Sequence, residues 1–167
     1  MRILALAVFC GLTLSVFLTP SAHAQEGLVA YKALAPKVAI KAATAAMDKC
    51  NADGYQVAVA VVTREGTLQA LVRDRFAGAH TPETARRKAW TAVSFRSNTS
   101  ELATSSGPSA PNSGVRHVTD ALMLGGGLMI EADGSLVGGI GVSGAPGGDI
   151  DDACAAAGIE AIGDDLF

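Results

Sequence analysis

The sequence is poor in aromatic residues, which make up 5% of its 167 residues, whereas glycine alone occurs 19 times. With so few large rings, the core has to be built from small side chains that let backbones pack closely. Long apolar runs are also missing after residue 24. No later segment reaches the roughly 18 uninterrupted apolar residues of a membrane-spanning helix, so we predict no membrane span in the mature chain.

Residues 1–24 have the pattern of a secretory signal peptide rather than of a folded segment. Arg2 supplies a positive start, residues 3–18 are apolar, Pro20 interrupts the run, and residues 22–24 form an A-x-A cleavage site. We therefore predict a mature chain of residues 25–167 that is periplasmic or secreted. Its length suits one domain with its own core.

Basic residues are outnumbered in the predicted mature chain. Without Arg2, 12 basic residues face 16 acidic ones, which gives a net charge of −4. Proteins that bind nucleic acid generally carry a basic surface, so this balance argues against such a partner.

Several catalytic and cofactor motifs are absent or out of context. No Gly-Lys-Ser/Thr run indicates a P-loop. Residues 139–144 match G-x-G-x-x-G, but no βαβ pattern surrounds them as a dinucleotide site requires. Residues 141–145 resemble a nucleophile elbow, yet the last glycine is replaced by Ala145 and the order of elements is wrong for a hydrolase.

The two cysteines of the mature chain, Cys50 and Cys154, lie far apart and lack C-x-x-C spacing. This excludes a zinc cluster and the covalent attachment of a c-type haem. An oxidising compartment would permit a disulfide between them. We expect instead two separate small buried side chains, because the sequence does not show that their two helices are neighbours.

The order of predicted elements is helix, two strands, helices, two or more strands and helix. Helices are expected over residues 31–51 and 81–96 and from Asp149 onward, with a short turn or helix at 98–103 and a loop at 105–114. Strands are expected over residues 56–62 and 67–74. Since short turns join the strands of each pair, we predict an α+β fold in which helices flank an antiparallel sheet.

The most informative segment is the glycine-rich stretch of residues 120–150. Two apolar runs flank Asp133 and Gly134, which is typical of a β-hairpin with a two-residue turn. Glycine weakens a strand unless something approaches its backbone closely. We therefore predict that a flat ligand lies against this hairpin, near Gly126 and Gly127.

Three runs in this order resemble the GlcG/HbpS family of haem-binding proteins, which includes the C-terminal domain of the PduO adenosyltransferase. They are VAVAVVTREGTLQALVRDRFAG, TPETARRKAWTAVSFRSNTSELA and LMLGGGLMIEADGSLVGGIGVSGAPGGDIDDACAAAGIEAI. With the preceding helix they span most of residues 31–163. The resemblance implies a single profilin-like domain over residues 25–167, assembly into a homo-oligomer, and haem as the cofactor.

The resemblance also implies one site residue. A Pro-Thr pair of the family corresponds to Asn98 and Thr99 here, and its threonine is the contact to the haem iron in an exported relative. Thr99 is therefore one candidate iron ligand. The chain departs from the family pattern at Asn98 and also at Met129, where proline is frequent.

Residue chemistry adds further candidates for a haem site. Imidazole is a stronger iron ligand than a hydroxyl, so His80 and His117 compete with Thr99. The spacing of His117 and Asp120 also suits a metal site, but two histidines and one acid are few ligands for one. The haem propionates pair with cations, and the candidates for this role are Arg73, Arg86, Arg87 and Lys88. The haem ring needs apolar surface, for which Phe95 and Trp90 are the candidates.

Two functions are compatible with these observations. The first is an exported protein that captures, stores or senses haem, without a necessary enzymatic activity. The second is an enzyme or accessory subunit that acts on a small organic acid or binds a corrinoid or flavin, since the family also has cytosolic members.

Overall fold

The computed structural model describes residues 27–167. Its contacts divide the chain into two units, residues 1–30 and Tyr31–Phe167, and the fold below is that of the second unit. The predicted signal peptide lies outside the described residues. Within residues 27–167, no helix combines the length and the apolar character that crossing a membrane would need.

Four helices and four strands form this unit, which confirms the predicted α+β class. The helices are α1 (Pro36–Ala52), α2 (Thr81–Phe95), α3 (Thr99–Ser105) and α4 (Gly148–Glu160). The strands are β1 (Ala58–Thr63), β2 (Leu68–Arg73), β3 (Gly127–Ala132) and β4 (Ser135–Ser143). Two short 3-10 helices follow α3 and α4, at Ser113–His117 and Gly163–Asp165.

The strands make one antiparallel sheet in the order β2-β1-β4-β3. The predicted hairpin is β3 and β4, joined by Asp133 and Gly134, which both have positive φ angles of 48° and 70°. This is the conformation that a two-residue hairpin turn of the primed type requires. Glycine at its second position adopts it without strain.

The two faces of the sheet contact different helices. Alternate residues of β1 point to opposite faces, so that Val59 and Val61 pack with α1 and α4 while Ala58 and Ala60 face α2. Helix α1 buries a face made almost entirely of alanine, at positions 39, 42, 43 and 46. Ile40, on another side of this helix, is 53% exposed.

Two helix starts differ from the sequence-based prediction. Helix α1 begins at Pro36 rather than at residue 31, because proline is favoured at the first helical position, where its missing N–H is not needed. Helix α4 begins at Gly148 with Gly147 as its N-cap, one residue before the predicted start at Asp149.

The expectation of two separate cysteines was wrong. Cys50 in α1 and Cys154 in α4 form a disulfide, with their Cα atoms 5.5 Å apart and 104 residues between them in sequence. Both side chains are fully buried. The prediction failed because the adjacency of α1 and α4 is a tertiary feature that periodicity does not encode.

The glycines of the hairpin also have a different role from the predicted one. A Cβ at Gly139 would lie 2.9 Å from the carbonyl oxygen of Ala89, and one at Gly141 would lie 2.7 Å from the nitrogen of Ala89. A Cβ at Gly127 would lie 2.8 Å from the carbonyl carbon of Lys88. The backbone of α2 therefore occupies the space that we predicted for a flat ligand.

Candidate functional site

A cavity of about 430 Å³ lies between the start of α2 and the loop of residues 143–148, which joins β4 to α4. His80, Thr84 and Arg87 line it from α2 and the residue before it. Leu122 and Leu124 supply apolar walls, and Lys88 and Asp151 also line it. The volume falls within the range of roughly 300–1,000 Å³ that is usual for ligand pockets.

Lys88 and Asp151 form a buried ion pair beside this cavity. The Lys88 Nζ donates to Asp151 Oδ2 at 2.7 Å and to the carbonyl of Val142 at 2.9 Å. Their side chains are 1% and 4% exposed. Asp151 Oδ1 accepts a further hydrogen bond from the N–H of Ala145 at 3.1 Å. The pair therefore joins α2, the end of β4 and the start of α4.

Burial raises the pKa of the Asp151 carboxyl above its ordinary value of 3.8. Removal of the charged form from water is the largest effect, and the hydrogen bond from Lys88 opposes it. The charged pair is consequently sensitive to any movement of α4 that lengthens its contact. Loss of one partner would leave the other charge buried and uncompensated.

Two arginines attach the segment before β3 to α2. Arg87 donates from Nη2 to the carbonyl of Ala121 at 2.7 Å and from Nε to the carbonyl of Asp120 at 3.3 Å. Arg86 bridges the carboxylates of Glu83 and Asp120, at 2.7 and 2.6 Å. The hydrogen bond from Arg86 lowers the pKa of Glu83. This network holds Leu122, the next residue of the segment, at the cavity wall.

His80 lies at the rim of the cavity, directly before α2. His80 is exposed to solvent. Its imidazole lies beside Gly78, because a Cβ added to Gly78 would be 2.7 Å from Cε1 of the ring. The carbonyl of His80 accepts hydrogen bonds from the N–H and the hydroxyl of Thr84. The backbone of His80 is therefore fixed by the helix while its ring remains accessible.

Thr99 lies in a different environment from His80. It is fully buried, and its hydroxyl accepts from the N–H of Gly127 at 2.8 Å and donates to the Gly127 carbonyl at 3.3 Å. Gly126 lies next to Lys88, since a Cβ there would be 2.8 Å from Nζ. Thr99, Gly126 and Gly127 thus form the junction between α3 and β3 and do not line the cavity.

The other candidate residues are distributed over the rest of the domain. Arg73 donates to the carbonyl of Ala77 and lines a separate cavity of about 410 Å³. Phe95 is half-buried at the end of α2, Trp90 covers Gly66, and His117 is exposed. Within residues 27–167, no group of three or more His, Cys, Asp or Glu side chains is arranged to hold a metal ion.

The structure brings together His80, Arg87 and Lys88 from the predicted set and adds Asp151 and Leu122, which sequence reasoning missed. One signal was present in the sequence. Lys88 lies three residues after Ala85 and four before Ala92, on the apolar stripe of α2. A charged residue on a buried stripe requires a partner, and the acids at the start of α4 were candidates.

Comparison with known proteins identifies relatives of this fold. A model of the HbpS-like family, described as haem degrading protein HbpS-like, matches residues 34–160. A comparison with curated protein sequences gives no significant match. The family match covers both strand pairs and all four helices.

Solved structures agree with this match. A double mutant of HbpS from Streptomyces reticuli is 39% identical over 87% of this chain and 97% of its own, with a TM-score of 0.79. A complex of the PduO C-terminal domain with haem is 32% identical over 78% of this chain and 96% of its own, with a TM-score of 0.74. The Klebsiella pneumoniae protein ORFY, at 22% identity over 83% of this chain and 96% of its own, shares the fold with a TM-score of 0.78. This chain therefore belongs to the HbpS-like family.

Proposed function

We propose that this protein binds haem at the cavity between α2 and the β4–α4 loop. The observation that carries the proposal is the convergence of an accessible imidazole, apolar walls and a cation in a member of the HbpS-like family. A similar domain, that of PduO, has been crystallised as a haem complex. Bound haem would supply an iron centre able to take an axial ligand from the protein.

The residues at the cavity fit the requirements of this group. His80 offers a nitrogen ligand, and Leu122 and Leu124 offer apolar contact to a ring. Arg87 uses Nε and Nη2 for backbone carbonyls, which leaves Nη1 for a propionate. Leu124 lines the cavity and remains 47% exposed. In a homo-oligomer, a second protomer would cover this exposed apolar side chain.

Export forms part of the same proposal. The signal-peptide pattern of residues 1–24 supports it, and so does the Cys50–Cys154 disulfide, since such bonds persist mainly in oxidising compartments. In that setting the protein would capture, store or sense haem. Fractionation of the native host, with the mature N-terminus read by mass spectrometry, tests this step; cytosolic full-length protein would contradict it.

A hemin titration followed at the Soret band tests haem binding. We expect saturable binding by the wild-type protein and a changed Soret position or weaker binding for His80→Ala. His117→Ala is the matched control, because His117 is exposed but lies outside the cavity. Thr99→Ser, which keeps the buried hydroxyl, should leave the spectrum unchanged. A spectrum indistinguishable from that of a non-binding control protein would reject the proposal.

A small carboxylic acid is the second candidate ligand. Arg87 lines the cavity and uses only Nε and Nη2 for backbone carbonyls, and a guanidinium pairs well with a carboxylate. Calorimetric titration with a panel of short carboxylic acids, in the absence of hemin, would detect such binding. Native mass spectrometry of protein from its host would identify a copurified acid, corrinoid or flavin in place of haem.

A further inference from the structure

Two adjacent carboxylates near the start of α4, those of Asp151 and Asp152, bind different parts of the fold. Asp151 holds Lys88 of α2 and the N–H of Ala145 in the β4–α4 loop. Asp152 accepts a hydrogen bond from the N–H of Gly126 at 2.6 Å and one from the hydroxyl of Ser100 in α3. One turn of helix thus connects α2, α3, the segment before β3 and the cavity loop.

The position of this turn depends on how α4 is attached to α1. Cys154, three residues after Asp151, is joined to Cys50 of α1. Further along α4, Gly158 allows close contact between α4 and α1, since a Cβ at this position would lie 2.6 Å from the carbonyl oxygen of Ala42. The disulfide is the covalent part of this attachment. It lies within one helical turn of the two carboxylates.

We propose that Asp151 and Asp152 are positioning residues of the cavity and that the Cys50–Cys154 disulfide sets their position. The inference rests on the proposed ligand site. Formation of the bond completes the cavity, so the chain gains full ligand affinity only after it has met an oxidant. In the reduced chain α4 is attached to α1 by packing alone, and the carboxylates lose their fixed distance to Lys88 and Gly126.

The oxidation itself is thiol–disulfide exchange with a donor disulfide. Each cysteine thiol loses one proton and one electron, the sulfur–sulfur bond between Cys50 and Cys154 forms, and the donor disulfide is reduced to two thiols. Both cysteines are fully buried in the folded domain. The exchange therefore takes place before or during folding. The presence of the disulfide then indicates that the chain folded in an oxidising compartment.

The test compares hemin affinity and amide exchange in the oxidised wild type and in Cys50→Ala/Cys154→Ala. We expect the variant to bind hemin about 5- to 150-fold more weakly, the usual range for coupling between two sites. The amides of Gly126 and Ala145, which bind the two carboxylates, should exchange faster. Val137→Ala is the control, because it removes buried methyl groups of β4 elsewhere in the core. Val137→Ala should leave the hemin affinity and the exchange rates of both amides unchanged.

A second pair of variants keeps the disulfide intact. Asp152→Ala should weaken hemin binding and speed exchange of the Gly126 amide. Asp149→Ala, an exposed acid of the same helical turn, removes an equal charge and should do neither. These two variants decide the question if the double cysteine variant does not fold.

The outcomes separate the two proposals. Normal hemin binding by the wild type, with equal affinity and equal amide exchange in the disulfide and Asp152 variants, overturns the positioning role alone. Absence of hemin binding by the wild type overturns the proposed function. In that case, faster exchange in the Asp152 and cysteine variants supports the positioning role, and unchanged exchange rejects it.

Discussion

The two faces of the sheet are packed in different ways. On the face covered by α1 and α4, aliphatic side chains such as Ile140 and Val142 interlock with alanines and a disulfide. On the face covered by α2, glycines let the helix backbone lie directly on the strands. Polar groups are buried there, among them Lys88 and Thr91.

The two faces of the sheet therefore have different main roles. The α1/α4 face stabilises the fold, and the α2 side carries most residues of the candidate site. The α1/α4 face gains its free energy from apolar burial, which is non-directional and tolerant of small shifts. The α2 side depends on buried hydrogen bonds and one ion pair, which require fixed geometry. The side chains of His80, Arg87 and Lys88 reach the cavity from this side.

The largest effect is expected from Asp151→Ala, which leaves the charge of Lys88 buried without its partner. We expect the free energy of unfolding to fall by about 3–5 kcal/mol in urea denaturation. The double variant Lys88→Met/Asp151→Leu replaces the ion pair by apolar side chains, like those on the opposite face. It should recover most of the lost free energy of unfolding. A single variant as stable as wild type would contradict the polar account of the α2 side.

Ile140→Ala tests the apolar face. Ile140 is fully buried between β4 and the α1/α4 layer, and its truncation leaves a cavity. The expected loss is about 2–5 kcal/mol in the free energy of unfolding. Hemin affinity measured well below the melting temperature should be unchanged, because the Cys50–Cys154 disulfide still attaches α4 to α1. A weaker affinity would mean that apolar packing, and not only the disulfide, positions the site.

Gly141→Ala tests the adjacent position, which faces α2. The added methyl group meets helix backbone rather than a movable side chain. We expect a loss of about 1–3 kcal/mol from overpacking. Gly163→Ala is the control, because a Cβ at Gly163 would meet no atom within 4 Å and the φ angle there is not positive. Equal stability of the two variants would refute the close-packing role.

The pH dependence of stability offers a smaller effect. Burial raises the pKa of Asp151. The native state therefore keeps the proton of the Asp151 carboxyl over a range of pH in which the unfolded chain has already released it. The contribution of this group is complete below pH 3.8 and decreases as the pH rises through the native-state pKa. Asp151→Asn lacks this titration. The stability of wild type relative to this variant should therefore decline with rising pH, and a constant difference would contradict the raised pKa.

Glu83→Gln should have the smallest effect. The hydrogen bond from Arg86 lowers the pKa of Glu83, so its stabilising contribution is present above 4.5 and is lost as the pH falls through the lowered value. Glu83 is 62% exposed, and solvent screens the pair. We expect a loss of a few tenths of a kcal/mol at pH 7. Glu160→Gln, at an exposed position of α4, is the control.

Local patterns predicted the elements well, because the apolar strand segments, the Asp133–Gly134 turn and the helix start at Thr81 are short-range features. The hairpin glycines were recognised as sites of close approach, but their partner was α2 and not a ligand. Which surface approaches a glycine is decided by tertiary packing. The same limit explains why the disulfide was missed.

The site was predicted only in part. His80 and Arg87 were selected by the chemistry of their side chains, and both line the cavity. Asp151 was not among the site residues predicted from the sequence. Its pairing with Lys88 joins residues 63 positions apart, a separation that helical periodicity does not reach.

The most direct test is a crystal structure of the protein loaded with hemin, with the iron located by anomalous scattering. We expect one iron peak beside His80, with the ring against Leu122 and Leu124. A peak next to Thr99, a peak in the cleft lined by Arg73, or no ordered iron at saturating hemin would contradict this expectation.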